Sequence, residues 1–168
     1  IHPLHDVIVR IPGSEFPDQW VMYGNHHDAW VHGASDPASG AAPLLETARS
    51  LGELVKQGWK PKRTIVLALW DGEEFGLMGS TEWVEKHAAE LNQKLAVYMN
   101  SDSNGKGRLS VGGSHTLEAF MGEIERDIAD PDDRPVFSSA GGTDWRELGR
   151  RWVRPVCCAG GGVRRVWH

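Results

Sequence analysis

Short apolar segments alternate with longer segments of helical spacing along most of this chain. Val, Ile, Leu and aromatic residues are concentrated in five short runs that end in Gly, Pro or polar residues, a pattern typical of β-strands. The predicted strands lie in DVIVRIPG, QWVMYGNH, TIVLALW (64–70), KLAVYMN and RLSVGG. Because TIVLALW is almost entirely apolar, we expect this strand to be covered on both faces of the sheet.

Between these strands, apolar residues recur at helical intervals. The first helix is predicted from Ser39, a suitable N-cap, to Gly58, which stops it. A second helix is predicted with Ser80 or Thr81 as its cap, and a third begins at Ser114. Strands that alternate with helices predict an α/β fold, a three-layer sandwich around a mostly parallel central sheet.

The length of the chain indicates a single domain. At 168 residues it can form one core and is too short for two, so we predict one domain over residues 1–168. Residues 150–168 are rich in Arg, Trp and Gly, have no clear period and receive no predicted element. Cys157 and Cys158 are adjacent, which suits neither an ordinary disulfide nor a common zinc spacing, and we interpret them as small apolar residues.

Charge and hydropathy argue against two classes of partner. The formal net charge is -5, with both signs mixed along the chain, so there is no basic stripe of the kind that binds nucleic acid. No run of about 18 apolar residues is present that could span a membrane. The opening segment IHPLHDVIV lacks the pattern of a signal peptide.

Five residues that can bind a metal or move a proton lie where predicted strands end: His26, Asp36, Glu73, Glu74 and Asp102. In a parallel sheet, the ends of neighbouring strands meet at one rim, where ligands bind. One imidazole and several carboxylates at such a rim would make a site for a zinc-like cation. Of the adjacent glutamates, one can hold metal while the other takes a proton from an attacking water. The pattern therefore predicts a hydrolase.

Each of these residues also has an ordinary interpretation. A single His is most often a surface or hydrogen-bonded imidazole, Asp36 can be an acid that the helix dipole favours, and Glu73 and Glu74 can form a solvated turn. Asp102 alone carries little weight. Two adjacent acids at a strand end with no nearby Lys repel each other unless a cation offsets them. Their coincidence with His26 and the other acids favours the metal site.

Two further features of the sequence concern the orientation of the His26 ring and of the Asp36 carboxylate. His26 and Asp28 are two residues apart at a strand end, so their side chains point to the same side, and Asp28 could hold the second ring nitrogen of the histidine. His27 should face the opposite way. The Asp36–Pro37 bond is a candidate for the cis form, which would aim the Asp36 carboxylate.

Three segments of the chain resemble a known family. GNHHDAWVHGASDPASGAAPLLE, GWKPKRTIVLALWDGEEFGLMGSTEW and VYMNSDS are similar, in order and spacing, to the peptidase domain of metallopeptidase family 28. The resemblance is to the branch of glutamate carboxypeptidase II and the transferrin receptor, and it runs from about Asp6 to Gly113. It implies a zinc-dependent exopeptidase-like fold, incomplete at the C-terminus.

The resemblance implies two zinc ions per chain. His26 and Asp102 would bind one ion, Glu74 would bind the other, and Asp36 would bridge both. The family pattern includes one more histidine in a glycine-rich stretch near the end of the domain. GGGVRRVWH places His168 in a similar context, so His168 is the candidate fifth ligand.

The resemblance assigns catalysis and substrate contact to other residues. Glu73 would be the general base, and Asp28 would support the histidine ligand from behind. AGGTDW (140–145) resembles the substrate-pocket segment of the family, which implies substrate contacts from Gly142, Thr143 and Asp144. The implied reaction is hydrolysis of peptide bonds in small peptides, as an aminopeptidase or a glutamate-carboxypeptidase-like enzyme.

The resemblance also carries expectations about the longer protein. Larger members of the family have an inserted protease-associated domain and a helical dimerisation domain, and neither is found in this sequence, so we expect a fragment. Full-length relatives are expected to be homodimers through the domain that is absent here. The compartment stays open, and the family suggests an extracellular or membrane-associated ectodomain.

Two other functions are compatible with these residues. The first is a non-catalytic, receptor-like homologue that has kept the fold. The second is an inactive piece of an active peptidase, which would bind one zinc at the side of His26, Asp36 and Asp102. Four of the five ligand positions and the base are intact, which favours the peptidase over the receptor-like homologue. The sequence does not separate the peptidase from the inactive piece.

Overall fold

The computed structural model describes residues 2–105 and 112–127, which belong to two compact units, one for each range. Several features predicted from the sequence lie outside the described residues: the first four residues of the strand RLSVGG (108–113), the substrate segment 140–145 with Gly142, Thr143 and Asp144, the cysteines Cys157 and Cys158, and His168.

The first unit is built around a four-stranded mixed sheet. Its strands are β1 (Val7–Ile11), β2 (Phe16–His26), β3 (Arg63–Trp70) and β4 (Leu95–Asn100), in the order β1-β3-β2-β4. β2 pairs in parallel with both β3 and β4, and β1 runs antiparallel to β3. The prediction of a mostly parallel sheet is therefore confirmed, with the antiparallel strand at one edge.

The register of the parallel strands decides where the site lies. His26, the last residue of β2, is opposite Trp70, the last residue of β3, and Gly24 is opposite Asn100 at the end of β4. The segments that follow these three strands therefore emerge at one rim of the sheet, as predicted.

Three helices of this unit follow the strands: α1 (Ala38–Lys56), α2 (Met78–Lys86) and α3 (Ala88–Lys94). Gly58, just beyond α1, has φ +92°, which agrees with its predicted role as a stop. The predicted cap Ser39 was wrong, because Pro37 occupies the cap position and the Ser39 hydroxyl lies inside the first turn, where it donates to the carbonyl oxygen of Ser35.

The second predicted helix is two helices. α2 begins at Met78, directly after Leu77 in the left-handed conformation (φ 60°), so neither Ser80 nor Thr81 is at the cap. The hydroxyl of Ser80 instead donates to the carbonyl of Leu77 within the first turn. His87 separates α2 from α3.

Helices cover both faces of the sheet. On one face, the buried side chains of β2 and β3 pack with Leu91 of α3, and Trp83 of α2 lies 5.4 Å from Trp70, centroid to centroid. Successive residues of a strand face opposite sides, and Asn25 reaches the start of α1 on the other face, where Leu44 is buried. This arrangement is the predicted three-layer sandwich.

The described part of the second unit contains a 3-10 turn at His115–Leu117, followed by α4 (Glu118–Asp127). The N–H of Leu117 donates to the carbonyl of Ser114, so the predicted start of this helix is confirmed. Within residues 2–105 and 112–127, no helix has both the length and the apolar character needed to cross a membrane.

Candidate metal centre

The five strand-end residues predicted from the sequence all lie at the rim formed by β2, β3 and β4. His26 is the last residue of β2, Glu73 and Glu74 follow β3, and Asp102 follows β4. Asp36 lies in the turn that leads into α1. Its peptide bond to Pro37 is cis, as considered from the sequence.

Three of these residues form a compact group of possible metal ligands. The Nε2 atom of His26 lies 2.9 Å from Oδ1 of Asp36 and 3.1 Å from Oδ1 of Asp102, and one ligand atom from each residue lies within 4.8 Å of the others. Two ligands that share a zinc ion at about 2.1 Å can be no more than about 4.2 Å apart. The two distances from the histidine satisfy this limit, and one imidazole with two carboxylates is a donor set that zinc accepts.

The electrostatics of the group also favour a cation. Four carboxylates lie within 4.0 Å of the buried imidazole of His26: Asp28, Asp36, Glu73 and Asp102. Burial lowers the pKa of His26, but the hydrogen bond and charge of Asp102, with contributions from Glu73 and Asp28, raise that pKa above its ordinary value. Because like charges held this close repel one another, a positive charge at the Nε2 side stabilises the group.

Asp28 holds the histidine ring in the orientation that a metal ligand needs. The Nδ1 atom of His26 lies 3.0 Å from the backbone oxygen of Asp28 and 3.3 Å from its Oδ1. Both neighbours are acceptors, so Nδ1 can donate its proton to them while a cation takes the place of the proton on Nε2. Nε2 faces the carboxylates of Asp36 and Asp102, the other possible ligands. The contact predicted between Asp28 and His26 is confirmed.

The Asp28 carboxylate also binds the glutamate segment. Its Oδ1 accepts the N–H of Glu73 at 2.9 Å, and its Oδ2 accepts the N–H of Glu74 at 3.1 Å. Burial raises the pKa of the Asp28 carboxyl, but these two N–H groups and the His26 ring bring it below its ordinary value. Asp28 therefore stays ionised and connects the segment after β2 to the segment after β3.

The two glutamates differ in their relation to the histidine. Oε2 of Glu73 is 4.0 Å from Nε2 of His26, and the Glu73 side chain is only 12% exposed. Glu74 lies next in the chain, outside the group formed by His26, Asp36 and Asp102. The structure thus brings together three possible ligands of one cation, with the Glu73 carboxylate beside them. His27 points away, as expected, and its Nε2 lies 3.0 Å from the carbonyl oxygen of His5.

Two residues at this rim were not singled out from the sequence. Asn25 is fully buried, and its amide bonds the backbone of three surrounding segments. A side chain at Gly40 would place Cβ 2.0 Å from the carbonyl oxygens of Ser101 and Asp102. The available signal for Asn25 was a single amide residue near the end of the otherwise apolar run WVMYGN, directly before a predicted ligand.

The fold and the rim group define an α/β protein with possible metal ligands at the carboxyl ends of its parallel strands. The particular family follows from comparison with known proteins: the chain belongs to peptidase family M28, whose family model matches residues 6–168. This is the family that the three motifs resembled, so the resemblance is confirmed.

Curated relatives carry peptidase names of two kinds. Over 132 residues, the chain is 46% identical to a probable glutamate carboxypeptidase, VP8, from Zea mays, which matches 78% of this chain and 18% of the relative. Over 115 residues, it is 48% identical to aminopeptidase NAALADL1 from Rattus norvegicus, covering 68% of this chain and 15% of that protein. The chain therefore spans less than a fifth of the length of these relatives.

Solved structures agree on the fold. A peptidase M28 precursor from Shewanella amazonensis SB2B is similar with a TM-score of 0.56 at 25% identity, over 80% of this chain and 33% of that one. Legionella pneumophila LapA is similar with a TM-score of 0.59 over 95% of this chain and 46% of its own. At 17% identity, the second similarity concerns the fold alone.

Proposed function

We propose that the protein to which this sequence belongs is a zinc-dependent exopeptidase that hydrolyses small peptides. The observation that carries the proposal is the rim group itself. His26, Asp36 and Asp102 place three ligand atoms within 4.8 Å of one another, and Glu73 lies 4.0 Å from Nε2 of His26. Membership of a family of metallopeptidases supports the same chemistry.

Two zinc ions per chain are part of the proposal. His26 and Asp102 would hold the first ion, Glu74 and His168 would hold the second, and Asp36 would be shared between the two. When bound, zinc lowers the pKa of a coordinated water and polarises the peptide carbonyl. The donor set of the first ion supports this assignment, since it combines one imidazole with carboxylate oxygens at short range.

Proton transfer and positioning of the site are assigned to two acidic side chains, Glu73 and Asp28. Glu73 accepts the proton of the attacking water and passes it to the leaving amine, as a general base and then a general acid. Its Oε2 lies 4.0 Å from Nε2 of His26, beside the proposed ligands. Asp28 contacts Nδ1 of the His26 ring and accepts the backbone N–H of Glu73. The same carboxylate therefore positions both the proposed ligand and the proposed base.

Substrate contact is proposed for Gly142, Thr143 and Asp144. The relatives include proteins named as carboxypeptidases and others named as aminopeptidases, so the proposal covers cleavage at either end of a peptide. Homodimerisation of the longer protein and an extracellular or membrane-associated compartment stay predictions from the family resemblance.

Of the two alternatives, the receptor-like homologue is not favoured, because the curated relatives described above are named as peptidases. The inactive piece of an active peptidase is harder to distinguish from the proposed enzyme. It predicts one zinc at the side of His26, Asp36 and Asp102, and this is the group that the first unit brings together.

The substitution Glu73→Gln tests the proposal directly. The amide keeps the size of the side chain but cannot take a proton, so we expect turnover of small aminoacyl and acidic dipeptide substrates to fall by at least about a hundredfold. Zinc content should stay at the wild-type level, since Glu73 is not a proposed ligand. Rates and elemental analysis measure the two quantities on the same preparation.

Glu85→Gln is the matched control, because it makes the same chemical change at an exposed position of α2. It should keep wild-type turnover. A Glu73→Gln enzyme with a near-normal rate on either substrate would overturn the assignment of the base. A wild-type chain that binds zinc without turnover would favour the inactive piece.

A further inference from the structure

The site lies where β4 separates from β2. The last residue pair of these strands is Gly24 opposite Asn100, and the N–H of Ser101 still reaches the carbonyl of Gly24 at 3.4 Å. Beyond this point β2 continues for two more residues, Asn25 and His26. Backbone groups that are buried here need other hydrogen-bond partners, because an unpaired buried group costs free energy.

The side chain of Asn25 supplies these partners. Its Oδ1 accepts the backbone N–H of His26 at 2.7 Å. Its Nδ2 donates to the carbonyl of Pro37 at 3.3 Å and to the carbonyl of Asp102 at 3.4 Å. A primary amide has two N–H donors and one carbonyl oxygen, so one side chain can make all three bonds. Asn25 is 0% exposed, and water does not compete for them.

The three backbone groups belong to the three ligand segments. One is His26 itself, one is the residue after Asp36, and one is Asp102 itself. Each ligand approaches the rim on a different element, namely β2, the turn before α1 and the segment after β4. Asn25 therefore bonds all three segments without being a ligand.

Resting on the proposed metal centre, we propose that Asn25 is its positioning residue: the amide sets the separation of His26, Asp36 and Asp102 through their backbones. The ligands are then held at short range before the cation arrives. Side chains that support metal ligands typically change metal affinity by about tenfold to a hundredfold when they are removed.

A second link between two of these segments shows what is particular to Asn25. The backbone N–H of Asn104 donates to Oγ of Ser39, and Nδ2 of Asn104 donates to the carbonyl of Ser39. This outer link joins the segment after β4 to α1 and includes no group of His26. Of these two links, the Asn25 amide is the one that fixes the histidine relative to both aspartates.

The test is zinc titration of the metal-free full chain, comparing wild type with Asn25→Ala and the milder Asn25→Ser. The Ala side chain makes none of the three bonds, and the Ser hydroxyl is too short to span Pro37 and Asp102 together. We expect both variants to bind zinc about tenfold to a hundredfold more weakly than wild type. We also expect the visible absorption bands of the cobalt-loaded protein to shift, because these bands report ligand geometry.

Thr64→Val is the matched control for a loss of buried hydrogen bonds. Thr64 is buried at the start of β3, far along the strand from the rim, and its hydroxyl accepts from the N–H of Gly13 and donates to the carbonyl of Pro17. This variant should lower the melting temperature and leave the zinc dissociation constant and the cobalt bands unchanged.

The outcomes separate the inference from the proposed function. Wild-type zinc affinity and cobalt bands in a folded Asn25→Ser or Asn25→Ala chain overturn the positioning role alone. Equal weakening of zinc binding in Thr64→Val overturns it as well, because general destabilisation would then explain the effect. A wild-type chain that binds no zinc overturns the metal centre and this inference together, whereas turnover by Glu73→Gln affects only the assignment of the base.

Discussion

At the scale of single residues, Asp28 connects the two halves of the site. Its carboxylate accepts the N–H groups of Glu73 and Glu74, and its side chain and backbone oxygens face Nδ1 of His26. The contact with His26 could be predicted, because it depends only on two residues of spacing at a strand end. The contacts with the glutamates could not, because they depend on how β2 and β3 align.

Asp28→Asn should disturb both halves at once. One carboxylate oxygen becomes an NH₂ group, so either Glu73 or Glu74 loses its acceptor, and the negative charge behind His26 disappears. We expect zinc affinity and peptide turnover to fall by about tenfold to a hundredfold. Zinc titration and rate measurements check this, with Asp18→Asn, an exposed acid paired with Lys94, as the control. Wild-type values for both quantities in Asp28→Asn would contradict the role given to this carboxylate.

For Asn25, the sequence indicated burial but not the hydrogen-bond partners. Its position in an apolar run indicated a buried amide that needs partners, but the partners come from residues 12 and 77 positions away. Only the folded chain brings Pro37 and Asp102 to it. His26, Asp36 and Asp102 could be predicted because each has a carboxylate or imidazole at a strand end or helix entrance.

At the scale of elements, the first turn of α1 packs directly on the rim. Gly40 faces the carbonyl oxygens of Ser101 and Asp102, and an added Cβ would lie 2.0 Å from each and 2.6 Å from Nδ2 of Asn25. The helix was predicted with its cap two residues from the observed position, because apolar spacing is a local property that fixes an element better than its exact end. Its close approach to the segment after β4 was not predicted, because it depends on tertiary packing.

Gly40→Ala should move α1 away from the rim. The methyl group has no space, so we expect a loss of about 1 to 3 kcal/mol in the free energy of unfolding together with weaker zinc binding. Gly52→Ala is the control in the same helix, because nothing lies within 4 Å of its added Cβ. In a helix interior that change should stabilise by up to about 1 kcal/mol. Equal stability and zinc affinity in the two variants would contradict close packing at Gly40.

At the scale of the whole molecule, the sequence pattern predicted the α/β class, the three layers and the rim. It did not predict that β1 runs antiparallel to β3, because strand direction depends on pairing between Val7–Ile11 and residues more than 50 positions away. The family extends over residues 6–168, while the described ligand group uses residues from the first unit alone. The proposed second zinc ion needs Glu74 and His168 as ligands. Whether the chain binds one zinc or two therefore depends on residues from the middle and the end of the family match.

The most direct test is the zinc content of the full chain after equilibrium dialysis against zinc and then buffer. Wild type is compared with the double variant Asp36→Ala, Asp102→Ala, which removes both carboxylates nearest Nε2 of His26. We expect at least one zinc per wild-type chain, two if Glu74 and His168 complete the second site, and none in the double variant. A wild-type chain without zinc, or equal zinc in both proteins, would contradict a metal centre at this rim.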